Sequence, residues 1–132
     1  MNGHNADKGG AGLNARFLFH ELAWGGIYTV KDNVSKHLLA ISLGPNGQAG
    51  RGGHAHNDRL GFDLTVYGEG LLVDPGTGVY FRNLALRNEL RSTASHNTLA
   101  LAGKEQNSMD LGPFALRQDV REPKKITSSL DA

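Results

Sequence analysis

The chain has 132 residues, with 14 Lys and Arg against 13 Asp and Glu. The net charge of +1 therefore gives no basic surface of the kind that binds nucleic acid or an anionic membrane. Cys is absent, which excludes a disulfide framework and a thiolate metal site, and no apolar run reaches the ~18 residues of a membrane-spanning helix. The length suits one domain, and 18 Gly, about twice the usual ~7%, favour tight turns and short strands.

The first third of the chain predicts three short strands. Residues 1–12 are rich in Asn, Gly, Asp and Lys, lack the apolar core of a signal peptide, and are interpreted as a flexible arm. Residues 13–24 fit either a short helix or an alternating strand, and the Gly25-Gly26 pair that follows favours the strand. The segment 27–30 is β-branched and aromatic, and the segment 37–43 is a short apolar run typical of a buried strand.

A glycine-rich loop, residues 44–53, leads into the clearest strand pattern. Five Gly and one Pro in ten residues exclude regular structure there. A long loop that ends in a pair of histidines is more often functional than decorative. Between residues 60 and 66, apolar side chains alternate with other residues, which predicts a half-buried strand. Residues 68–70 then predict a hairpin turn, and residues 71–73 the returning strand.

The last third predicts further strands. Residues 80–90 are mixed in character and are interpreted as an excursion over the surface, whereas residues 98–102 and 114–117 are interpreted as strands. The polar segment 122–132 is expected to fray. The sum is an all-β, antiparallel β-sandwich domain at residues 13–121, between the flexible arm and the polar tail.

Three residues outline a candidate metal site, and the first of them belongs to a pair of histidines. His54 and His56 are two residues apart, so on an extended chain both face the same side. His56, Asp74 and His96 are nitrogen and oxygen ligands that suit Zn²⁺ in a three-ligand site with an open position. Alternatively, His56 is a hydrogen-bonded residue at a strand end, Asp74 forms the turn before Pro75, and His96 hydrogen-bonds a loop.

The hairpin imposes a condition on this site. A two-residue turn places Asp74 opposite Asp63, which is roughly 23 Å of extended strand away from His56. The three ligands therefore meet only if the chain bends back near residues 57–59, or if the register of the hairpin differs.

Three further side chains are candidates for substrate chemistry. His54, beside a metal site, is suited to take a proton, to donate one or to steady a carboxylate. The alternative is that His54 only orders the glycine-rich loop. Arg59 and Arg91 have the planar fork that binds a sugar carboxylate through two hydrogen bonds. The alternative for both arginines is a solvated place on the surface.

Three segments, in this order, resemble the heparinase II/III family of bacterial polysaccharide lyases. They are GGHAHNDRLGFDL at 52–64, LLVDPGTGVY at 71–80 and RNELRSTASHNTLALAGKEQN at 87–107. The resemblance runs from about Gly26 to Phe114 and rests on the combination, since a lone His-x-His is common.

This resemblance implies a β-sandwich that follows a helical toroid and acts in β-elimination on uronic-acid polymers such as heparan sulfate or alginate. It implies a structural zinc ion held by His56, Asp74 and His96, with His54 facing the substrate cleft and assisting catalysis. In the family, a Tyr acid/base and an Asn/His group that neutralises the carboxylate come from the toroid, for which this chain has no counterpart. The chain is therefore expected to be part of a larger lyase and to be inactive alone.

Two other functions stay open at this point. One is a non-catalytic module that binds acidic glycan or packs against a partner domain, and the other is a metal-dependent sandwich enzyme of another kind. The resemblance favours a full-length parent that is periplasmic or secreted, although the chain carries no signal peptide and its compartment stays open.

Overall fold

Five strands form one antiparallel sheet in the computed structural model, which describes residues 16–22, 24–47 and 52–116. The order in the sheet follows the chain. The strands are β1 (Phe17–Leu22), β2 (Ile27–Asp32), β3 (His37–Ser42), β4 (Phe62–Val66) and β5 (Glu69–Leu72). A helix, α1 (Leu84–Leu90), and a 3-10 turn (Thr93–Ser95) follow. The fold is all-β, as predicted; the arm at 1–12 and the tail at 122–132 lie outside the described residues.

The strands predicted in the first half of the chain are present, with ends shifted by a few residues. The hairpin between β4 and β5 turns at Tyr67 and Gly68, whose φ angles are 52° and 86°. Val66 consequently pairs with Glu69, so the turn lies one residue earlier than predicted. A register shift after Leu64 then places Leu64 opposite Leu72.

The strands predicted at 98–102 and 114–117 do not form in the described part of the chain. Within 98–102, only Leu101 takes part in a β-bridge, an isolated one with Lys104 across a tight turn. Residues 114–116 lie in a turn and irregular structure, and Arg117 is outside the described residues. The segment 80–90, interpreted as a surface excursion, instead contains α1, which begins where the Asn83 side chain accepts a hydrogen bond from the Leu86 N–H at 3.0 Å.

The two faces of the sheet differ in polarity. Because paired residues of antiparallel strands point to the same side, the register places a row of apolar side chains on one face. They are Phe17, Phe19, Tyr28, Val30, Leu39, Ile41, Phe62, Leu64 and Val66. Glu21, Asp32 and His37 lie on the same face. Among the described residues, neighbouring strands account for all extensive contacts between elements, so the second sheet of the predicted sandwich is not seen in this part of the chain.

The buried interior is polar. Among the described residues, Leu116 is the one buried apolar side chain. The buried polar and charged residues are Asp32, Asn46, His56, Asn57, Arg87, Arg91, Thr93 and His96. Six of these eight lie between residues 56 and 96, so burial is concentrated around the segments that carry the candidate ligands.

Within the described ranges, no helix has the length and apolar character to cross a membrane.

Candidate functional site

A tight turn after the histidine pair returns the chain toward its ligand partners. The Gly61 N–H donates to the Asp58 carbonyl at 2.8 Å, Leu60 has φ 59°, and β4 begins directly afterwards. At the other end of the hairpin, the Asp74 N–H donates to Oδ1 of Asp63 at 2.8 Å. The turn at 58–61 thus supplies the bend that a meeting of His56 with Asp74 requires.

Both histidines of the pair line one cleft, although the chain is not extended there. His54 lies in a turn with φ 59°, so the alternation argument does not explain its direction. The cleft has a volume of about 390 Å³, and Asp58, Asp74 and Thr77 also line it. His54 is exposed at this cleft, whereas His56 is buried, with 8% of its surface accessible.

His56, Asp74 and His96 come together beside this cleft. Nδ1 of His96 and Oδ2 of Asp74 are 2.6 Å apart, and the rings of His56 and His96 lie 5.2 Å apart between centroids. His96 directly follows the 3-10 turn, and its N–H donates to the Thr93 carbonyl at 3.3 Å. Residues that are distant in sequence therefore form one polar cluster.

Arg87 is a member of this cluster that sequence reasoning did not single out. Its Nη1 lies 2.7 Å from Nε2 of His56, and the residue is fully buried. Because a guanidinium only donates, Nε2 of His56 accepts, and the ring proton is on Nδ1. Burial, together with the charges of Arg87 and His96, lowers the pKa of His56 to about 4, which keeps the ring neutral at pH 7. The sequence feature that could have identified Arg87 is its spacing of four residues from Arg91, because on a helix this spacing places both side chains on one side.

The donor set fits zinc by ligand type. Nε2 of His96 is buried and has no hydrogen-bond partner among the described residues, so one imidazole nitrogen of the cluster is unused. The donor atoms do not yet surround one point, because Asp74 binds Nδ1 of His96 and Arg87 binds Nε2 of His56. Accordingly, no group of three His, Cys, Asp or Glu within the described ranges has the geometry of a metal site.

Asp58 is a second residue that sequence reasoning missed. It lines the cleft, and burial raises the pKa of its carboxyl, an effect that the nearby Asp74 charge reinforces and that His96 opposes. Its position two residues after His56 in the His-Asn-Asp sequence was the available signal.

His54 is held by an aromatic group at the edge of the cleft. Its ring centroid is 5.6 Å from that of Phe114 and 6.2 Å from that of Tyr80. The backbone N–H of His54 donates to the Phe114 carbonyl at 3.1 Å. Tyr80 and Phe114 are stacked at 12°, and the Arg87 guanidinium lies over the Tyr80 ring at 5.5 Å. Arg87 thus contacts His56 and also the aromatic rings that lie beside His54.

The two candidate substrate-binding arginines have different surroundings. Arg59 lines the cleft, and its Nε donates to Oδ1 of Asn46 at 3.2 Å. Arg91 is fully buried and donates to three carbonyl oxygens, at Ala115 (2.9 Å), Met109 (3.1 Å) and Gly112 (2.7 Å). A clamp for a sugar carboxylate needs an accessible guanidinium, so the buried position of Arg91 argues against that role.

Comparison with known proteins gives one family. Residues 15–130 match the family model described as Heparinase II/III-like, C-terminal, and this range contains all three motif segments. Searches of curated proteins and of solved structures returned no match.

Proposed function

Because this chain belongs to the Heparinase II/III-like family, as its C-terminal domain, we propose that it supplies one side of the catalytic cleft of a lyase acting on uronic-acid polysaccharides. The observation that carries the proposal is the cleft lined by His54, His56 and Asp74, with His96 bonded to Asp74. An exposed imidazole next to a buried polar cluster is an arrangement suited to proton transfer on a bound sugar.

The proposed reaction is β-elimination. A base removes the proton α to the uronate carboxylate, and the sugar linked through O4 leaves. That proton is weakly acidic, so the negative charge that develops on the carboxylate must be stabilised while the proton moves. His54 is the proposed participant of this chain, because it is exposed at the cleft while the ring of His56 is buried. The remaining acid/base and neutralising groups belong to the helical domain that the family resemblance implies.

A structural zinc ion is the second part of the proposal. Its ligands are His56, Asp74 and His96, and a bound zinc would cross-link the three segments that carry them. Support comes from the neutral state of His56, the unused Nε2 of His96 and the proximity of Asp74. Zinc binding requires Arg87 to leave Nε2 of His56.

Elimination is tested in a lyase that contains this domain together with its helical domain. Incubation with heparan sulfate, alginate and other uronate polymers is expected to raise the ultraviolet absorbance of the unsaturated product. His54→Ala should slow turnover by about 10²–10⁴-fold, the usual contribution of a general acid or base, without loss of zinc. His20→Ala, in β1, is the matched control. Absence of the absorbance with every uronate polymer would refute the lyase proposal, and binding without elimination would favour a glycan-binding module.

The zinc proposal is tested on the chain itself. Elemental analysis of the purified protein should give close to one zinc per chain, lost in His56→Ala and retained in His54→Ala. A metal-free protein whose thermal stability does not respond to added zinc contradicts the proposal. Loss of zinc from His54→Ala would show that the roles of the two histidines are reversed.

A further inference from the structure

Glu105 joins the two segments that carry the buried histidines. Its Oε2 accepts three hydrogen bonds, from Nδ2 of Asn57 at 2.7 Å and from both the N–H and the hydroxyl of Thr93 at 2.8 Å. Asn57 is the residue after His56, and Thr93 begins the 3-10 turn that precedes His96. A single carboxylate oxygen therefore connects the two chain segments at the candidate site.

The partners of this carboxylate are themselves fixed. Asn57 is fully buried, its Nδ2 also donates to the Asn107 carbonyl at 2.9 Å, and its Oδ1 accepts from the N–H and the Nδ2 of Asn107, each at 3.1 Å. The Thr93 hydroxyl donates to Glu105 and accepts from the Gln106 N–H at 2.9 Å. Neither side chain is free to take another rotamer without leaving a buried polar group unpaired, which costs about 1–3 kcal/mol.

Gln106 extends the same attachment to the turn after His56. Its Oε1 accepts from the Arg59 N–H at 2.9 Å, and its Nε2 donates to the Arg59 carbonyl at 3.0 Å. The backbone adds one direct link, from the Asn57 N–H to the Arg91 carbonyl at 3.0 Å. Residues 105–107 thus bind the chain on both sides of the histidine cluster.

The charge of Glu105 strengthens these bonds. Burial acts to raise the pKa of its carboxyl, but the hydrogen bonds from Thr93 and Asn57 outweigh it and hold that pKa below the usual value. The group is therefore a carboxylate at pH 7, and hydrogen bonds to a carboxylate are roughly twice as strong as neutral ones.

We infer that Glu105 is a positioning residue of the candidate site, because its carboxylate holds the His56 and His96 segments in the arrangement on which the proposed function rests. It does not line the cleft, so its effect passes through Asn57 and Thr93 to the two imidazole rings. A residue that served only general stability would lower the unfolding temperature of the chain without changing the separation of these rings in the folded protein.

The inference is tested first without metal, by NMR of the histidine rings in the whole chain. The variants are Glu105→Ala, Glu105→Gln and Thr93→Val, with Glu69→Ala in β5 as an exposed control. Cross-relaxation between the His56 and His96 rings, whose centroids are 5.2 Å apart, should weaken at least threefold in Glu105→Ala. It should recover in Glu105→Gln, whose amide oxygen can accept the same hydrogen bonds, and stay unchanged in Glu69→Ala.

Wild-type ring contacts in folded Glu105→Ala would overturn the inference. If Glu105→Ala does not fold, Thr93→Val decides, since it keeps the Thr93 N–H bond to Glu105 but removes the hydroxyl, which donates to Glu105 at 2.8 Å and accepts from the Gln106 N–H at 2.9 Å. Shifted His96 ring signals in that variant support the positioning role, and unshifted signals refute it.

Zinc affinity provides a second readout. Losing a group that orients a metal ligand typically weakens binding 10–100-fold, so Glu105→Ala should bind zinc at least 10-fold more weakly, with Glu105→Gln within about threefold of wild type. Wild-type zinc affinity in Glu105→Ala would count against the inference. If the wild-type chain binds no zinc, the zinc proposal fails while the ring contacts still decide the role of Glu105.

Discussion

At the scale of single residues, two buried guanidinium groups show how the site is stabilised. Arg91 has every nitrogen engaged, since its Nε also donates to Oδ1 of Asn88 at 3.0 Å. Arg87 has only Nη1 bonded, to His56, while its Nε and Nη2 have no partner among the described residues. A buried charge with unmet donors is costly, although the ring face of Tyr80 offsets part of this cost for Arg87.

The first prediction concerns Arg91. Arg91→Lys keeps the positive charge but loses the planar fork that reaches several carbonyl oxygens at once. The free energy of unfolding should fall by about 2–4 kcal/mol, because carbonyls of the segment 109–115 lose their buried donors. Urea unfolding followed by circular dichroism measures this. Arg82→Lys, at an exposed position, should stay within about 0.5 kcal/mol of wild type, and equal effects of the two changes would contradict the structural role.

The types of residue in the sequence were enough to predict part of this site. His56, Asp74 and His96 are ligand types set among turn and strand signals, and the structure brings them together. Arg87 and Glu105 were not predicted, because a charged residue in a sequence is by default solvated. Their importance arises from burial and from partners far along the chain, such as Asn57 for Glu105. Nothing local marks Arg91 as buried either, so the sequence suggested a sugar-binding role for a side chain that is inaccessible in the structure.

At the scale of elements, the β2–β3 hairpin depends on one carboxylate. Asp32 ends β2 and is buried, its Oδ1 accepts from the Val34 N–H at 2.9 Å, and its Oδ2 accepts from Nε and Nη2 of Arg16 at 3.2 and 3.1 Å. These bonds, the one from Arg16 above all, hold the pKa of Asp32 well below its usual value. The hairpin turn is thus closed by a side chain that is ionised at pH 7.

The second prediction follows from the sign of this shift. Because the pKa of Asp32 is lower in the folded chain than in the unfolded chain, its stabilising effect is complete above about pH 4, the unfolded value. The effect is lost as the pH falls below that value. Asp32→Asn should therefore lower the unfolding temperature at pH 7 and flatten its decrease between pH 5 and pH 2. Calorimetry at several pH values measures both effects, with Glu69→Gln in β5 as control. An equally steep decrease in Asp32→Asn would rule out this role.

Period-two patterns predicted the strands only where a neighbouring strand exists to pair with them. Residues 62–66 alternate and lie between β3 and β5. Residues 98–102 also carry apolar side chains, yet in the described structure they turn at Ala102 and Gly103, with φ 44° and 72°, and bridge only to Lys104. The helix α1 was not predicted, because seven residues are too few to show a helical period in the sequence. Its formation depends on the Asn83 cap and on burial of Arg87.

At the scale of the whole molecule, the apolar sheet face contrasts with the polar interior. Antiparallel sheets of soluble proteins usually pack one face against a core. Here Phe17 and Phe62 on that face are 46% and 38% exposed, and Val30, Leu39 and Leu64 are only half-buried. Apolar surface left in water forgoes about 25 cal/mol of stabilisation for each Å². The described part of the chain therefore derives much of its order from hydrogen-bonded polar clusters.

The third prediction is that this face accepts an apolar fluorescent dye while the chain is folded. Leu39 lies on the apolar face of β3, between its partners Val30 and Leu64, whereas the next residue, Ala40, points to the other face. Leu39→Lys places a charge in the middle of the apolar row, so dye fluorescence should fall at least twofold with an unchanged circular dichroism spectrum. Ala40→Lys is the matched control, since it adds the same charge to the same strand without entering the row. If the two variants and the wild type bind equal amounts of dye, the face is already covered in solution. The share of order that the polar clusters supply in the described part of the chain would then be smaller.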